Sequence, residues 1–156
     1  AENSFKGSFE NCKNLKTVEL LGNNINAIPA KAFKGCSSLQ NIVLKNINRI
    51  EKNAFEGCLS LDSIVLGKKL SSINTDALKK CEAIKKIVSY AMTPPVCQSE
   101  FESKVYVQAE LTIQFESQNT YESSNLWKKF WNISEGVITQ FTQKGIVYEV
   151  QEEDTV

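Results

Sequence analysis

The residues of this chain best placed to do chemistry are its cysteines. Four of them stand at Cys12, Cys36, Cys58 and Cys81, in steps of 24, 22 and 23, and Cys97 lies outside the series. Thiols at regular spacing suggest a disulfide framework or a metal site. A zinc site is disfavoured, because the chain has neither a C-x-x-C pair nor a single histidine. The same absence removes the commonest general base and the hydrolytic triads built on it. No G-x-S-x-G, P-loop or dinucleotide fingerprint occurs. Carboxylates are scattered, mostly at turn positions, with no pair aimed at one point. The expectation is a protein that is not an enzyme and holds no metal and no cofactor.

Each of the four cysteines sits inside one recurring phrase, F-x-x-C-x-x-L-x-x-I-x-L. It reads Phe33, Cys36, Leu39, Ile42, Leu44 and again Phe55, Cys58, Leu61, Ile64, Leu66. An upstream copy is Phe9, Cys12, Leu15, Val18, Leu20, and a weaker one is Leu78, Cys81, Ile84, Ile87. A fixed period of this size marks a repeat array. Apolar residues three, three, three and two apart fit neither a long helix nor a long strand. They fit a coil that turns back every few residues and points the same side chains inward. The I-x-L piece has strand periodicity, and the F-x-x-C-x-x-L piece has room for one helical turn. No unit can bury its apolar set alone, so neighbours must stack. Stacking puts the four cysteines on one inward ladder, where the expected state is a small buried free thiol.

Charge narrows the partners. Lys+Arg and Asp+Glu are both 18, so no net field steers the chain toward nucleic acid or an anionic membrane. All the basic residues but Arg49 are lysines, whereas bidentate phosphate recognition favours arginine. No apolar run approaches the ~18 residues that span a bilayer. Neither a nucleic-acid partner nor membrane insertion by this segment is expected.

The segments Ala32-Phe33-Lys34-Gly35-Cys36 and Ala54-Phe55-Glu56-Gly57-Cys58, each followed by L-x-x-I-x-L, resemble the leucine-rich repeats of the BspA-like class. Ser8-Phe9-Glu10-Asn11-Cys12 and Ala77-Leu78-Lys79-Lys80-Cys81 follow the pattern without its glycine. The resemblance implies an α/β repeat solenoid. It would be a right-handed superhelix with short parallel strands on the concave face and short helical or irregular segments on the convex face. It also implies a secreted or cell-surface bacterial protein, of the adhesion or host-interaction type found in gut and oral anaerobes.

Three regions follow. Residues 1–90 form the array, with about four units. Residues 91–135 are similar to the terminal segment of such arrays: Leu111-Thr112-Ile113-Gln114 as a last strand, then an aromatic helix closing W-x-x-F-x-x-I. Trp127, Phe130 and Ile133 at steps of three make one apolar face. Trp127 and Trp131 are expected to act as a lid over the open end of the core, the alternative being a paired aromatic platform for carbohydrate. Residues 136–156 alternate around Gly145 and read as a hairpin-like segment that could open a further module.

The strands also define an outward surface. Its first column is Thr17, Asn41, Ser63, Lys86 and Glu110. The second is Glu19, Val43, Val65, Val88 and Thr112. The third is Leu21, Lys45, Gly67, Tyr90 and Gln114. The expected binding residues are Asn41, Val43, Lys45, Ser63, Val65, Lys86, Val88 and Tyr90. Val43, Val65 and Val88 form an apolar strip with a polar rim, the pattern of a contact site for a protein or glycan ligand. The competing reading is that valine merely fills strands well, which would make the array an inert spacer displaying neighbouring domains.

Overall fold

The repeated phrase folds into a coil closed by three sets of backbone hydrogen bonds. The computed structural model describes residues 9–20, 24–141 and 148–151. The first set is a long sheet. Strands β2 (Asn41–Leu44), β4 (Ser63–Leu66), β6 (Lys86–Ser89), β8 (Glu110–Gln114) and β9 (Asn132–Phe141) pair in parallel, and β10 (Tyr148–Gln151) closes antiparallel on β9. Thr17 adds a single bridge to Asn41. The I-x-L alternation sends Ile42, Leu44, Ile64, Leu66 and Ile87 into the core, all under 2% exposed.

The second set is a short parallel sheet of two-residue strands: β1 (Ala27–Ile28), β3 (Arg49–Ile50), β5 (Ser72–Ile73) and β7 (Val96–Cys97). The third runs along the A-F-x-G turns. Phe33 N donates to Ala54 O and Phe55 N to Ala77 O, both at 2.8 Å, while Gly35 N donates to Glu56 O and Gly57 N to Lys79 O. These segments are hydrogen-bonded turns; among the described residues before α1 (Ser103–Gln108) no helical turn forms. Each coil needs a left-handed residue just before its cysteine: Asn11, Gly35, Gly57 and Lys80 have φ of 62°, 74°, 76° and 63°. That requirement explains the glycine of the motif. Gly67 answers a different need, because a Cβ there would lie 2.1 Å from the Lys45 carbonyl oxygen.

Inside the coils, Phe9, Phe33 and Phe55 stack with centroids 5.4 Å apart. The cysteines lie beside this stack as free thiols. Three of them donate to the phenylalanine carbonyl of the preceding coil: Cys36 to Phe9, Cys58 to Phe33 and Cys81 to Phe55, at 3.0, 3.2 and 3.0 Å. Burial raises the Cys36 thiol from 9.0 to about 11. The Cys81 thiol and burial push Cys58 well above the ordinary range.

After β7 the coil changes its means. Helices α1 (Ser103–Gln108) and α2 (Gln118–Ser123) and a 3-10 turn (Trp127–Lys129) take over the turn segments. Phe101, Tyr106, Tyr121, Trp127 and Phe130 pack mainly edge-to-face, with centroids 5.0–5.8 Å apart. Trp127 Nε1 donates to Pro95 O at 2.8 Å, and Tyr121 Oη to Ala91 O at 2.8 Å.

Trp127 and Phe130 are core residues, but Trp131 is not part of the lid: it is 77% exposed. The 3-10 turn places Trp127 and Phe130 on one side. Trp131 N then bonds Tyr106 O and its ring turns to solvent as β9 begins. A two-tryptophan platform is ruled out with it, since Trp127 has no exposed surface. Nor is Leu111–Gln114 the last parallel strand, because β9 adds to β8 with Leu111 opposite Ile133. Strand β9 crosses the expected boundary at 135/136. Leu21, Gly145 and the acidic Glu152-Glu153-Asp154 tail lie outside the described residues.

Candidate interaction surface

The register of the long sheet assembles the outward columns. Asn41, Ser63, Lys86, Glu110 and Asn132 are successive partners, as are Val43, Val65, Val88, Thr112 and Ser134. Parallel in-register pairing repeats one side-chain position at every strand spacing, about 4.8 Å. Lys45 lies in the turn after β2, and Tyr90 just after β6, where its N–H bonds Leu66 O at 2.9 Å.

The valine strip is not open to solvent. Val65, Val88 and Tyr90 form a second apolar cluster, separate from the main core, with half-buried Val43 packed against it. Val65 and Val88 are 0% exposed and Tyr90 is 8% exposed. Val65 and Val88 each have column neighbours one strand away on both sides, and Tyr90 joins them, so the strip packs with itself. Burial holds the Tyr90 hydroxyl protonated, its pKa raised from 10.0 to about 12. Ser63 is also nearly closed, its hydroxyl 3.2 Å from Asp62 Oδ2. Of the eight expected binding residues, Lys45 is exposed, and Asn41, Val43 and Lys86 are half-buried. The chemistry of this face is thus a polar rim of mixed charge, carrying Glu19 and Glu110 as well as Lys45 and Lys86, around a closed apolar centre.

Fold and face together define a leucine-rich repeat solenoid. The family model described as the BspA type leucine rich repeat region matches residues 5–108 in six copies, and the chain belongs to that family. Among curated proteins no match was found. Repeat modules of this kind serve as interaction scaffolds. Among the described residues, no helix is long and apolar enough to cross a membrane.

Sequence reasoning passed over a depression between residues 93–97 and 119–127, opposite in character to the sheet face. The one signal for it was Thr93-Pro94-Pro95, which breaks the regular coil.

Proposed function

We propose that this chain is a non-enzymatic recognition module of a secreted or cell-surface protein. It binds a protein or glycan through the outward face of the long sheet, in adhesion or host interaction. The observation that carries this reading is the register: five parallel strands repeat the same outward positions, the form of surface that repeat modules use for extended ligands. Contact falls on the rim, at Asn41, Val43, Lys45 and Lys86, because Val65 and Val88 have no surface to offer. The test is retention on immobilised extracellular-matrix proteins and on a glycan array. Val43→Thr, close in shape and suited to a strand, with Lys45→Glu is expected to lower retention at least ~10-fold, a loss of about 1.4 kcal/mol, with the melting midpoint little changed. Unchanged retention would falsify the rim as the contact. The closure of the valine strip favours a second reading, a spacer that displays neighbouring domains, and failure of the parent protein to be retained at all would support it.

A further inference from the structure

We propose that the open edge of the short sheet binds an uncharged peptide segment in extended conformation, taken up as the next strand of that sheet. This sheet grows by one bond pattern. The carbonyls of Ile28, Ile50 and Ile73 accept from Glu51, Asn74 and Gln98 N–H of the following coil, each at 2.9 Å. Cys97 is the register partner of Ile73. Its N–H and carbonyl therefore point onward, past β7. No described residue donates to that carbonyl. Where a fifth strand would lie, the chain instead forms α2 and the 3-10 turn, and Trp127 Nε1 reaches only the Pro95 carbonyl.

A cleft of about 640 Å³ separates this edge from α2. Its apolar lining includes Pro94, Val96 and Leu126, and its polar lining includes Asn119 and Thr120. None of its twelve lining residues is charged, in a chain where 23% of residues are. Val96 is 69% exposed, with Met92 nearby in the chain at 52%. An unpaired strand edge is satisfied by another backbone, which selects a peptide over a glycan. An uncharged wall disfavours a ligand that would bury a charge there without a partner. The occupant thus continues the interface already made between successive coils.

The test uses the full chain and a phage-displayed random peptide library. Panning is done against the parent protein, with counter-selection on Val96→Lys and Asn119→Lys, two exposed positions that line the cleft. Selected peptides are expected to lack charge in their central residues and to slow hydrogen exchange of the Cys97 amide by about tenfold or more. The inference is overturned if no peptide survives counter-selection, if survivors leave the Cys97 amide unchanged, or if a neutral oligosaccharide such as maltopentaose protects that amide instead. The rim substitutions at Val43 and Lys45 are expected to leave this binding intact, which separates its failure from that of the sheet-face reading.

Discussion

The regular coils and the terminal coil solve the same problem by different means. In the regular coils the same kinds of contact recur from one coil to the next, as in the Phe9–Phe33–Phe55 stack and the cysteine-to-carbonyl bonds beside it. Beyond Cys97 the long sheet continues through β8 and β9, but the turn segments and the short sheet do not repeat, and closure there depends on one-off contacts: Trp127 on Pro95, and Tyr121 on Ala91 and Ser89. Repetition spreads stabilisation over many similar contacts. Termination concentrates it in a few side chains.

Deleting one member of each class should therefore give unequal losses. Trp127→Ala is expected to cost about 5 kcal/mol, the upper end for a buried aromatic, since it also orphans the Pro95 carbonyl. Phe33→Ala, with stacked neighbours on both sides, is expected to cost about 3 kcal/mol. Denaturant midpoints of the two variants decide the matter; equal losses, or a larger loss at Phe33, would break the contrast.

Tyr121→Phe sharpens it. The hydroxyl bonds Ala91 O and Ser89 Oγ in a fully buried site, and its removal is expected to cost about 1–3 kcal/mol. Burial raises the Tyr121 pKa from 10.0 to about 12. A phenol that ionises less readily when folded lends stability that is complete below pH ~10 and is lost as pH rises toward ~12. The variant should lose less stability across that window than the parent, although Tyr90 and Tyr106, also raised to about 12, keep a residual slope. Parallel melting curves from neutral pH to about 12 would count against this account.

The smallest effect lies within the regular coils. Lys80 holds φ 63° where Gly35 and Gly57 hold 74° and 76°. Lys80→Gly is expected to stabilise by about 0.5–1 kcal/mol, relief of left-handed strain exceeding the added chain entropy. Gly57→Ala, whose new Cβ meets nothing closer than 3.7 Å, should lose about 1 kcal/mol through φ alone. Opposite signs at the two sites confirm that the position, not the residue, sets the conformation.

Much of the inward ladder was legible because the period fixes it: Phe55, Cys58, Leu61, Ile64 and Leu66 recur at one depth whatever lies between them. The outward columns followed from strand alternation. The short sheet was not legible, since two-residue strands such as Arg49–Ile50 carry no periodicity. Lys31 and Lys80 give no sign in their chemistry of the left-handed turns they occupy. The closure of Val65 and Val88 depends on self-packing and on Tyr90, neither visible in a strand pattern. Trp131 differs from Trp127 only in where the chain turns after the 3-10 segment, a tertiary choice made by the Tyr106 carbonyl.

The bond from Trp127 to Pro95 has a consequence for how such chains change length. The indole N–H touches only the last coil, so the end-piece does not count the coils before it. Whole units can be gained or lost upstream while the same stopper still fits, provided the final carbonyl is presented at the same angle. Within a unit, a residue or two can be gained only where the chain turns, as the steps of 24, 22 and 23 allow, because an insertion inside a strand would break the in-register ladders on either side.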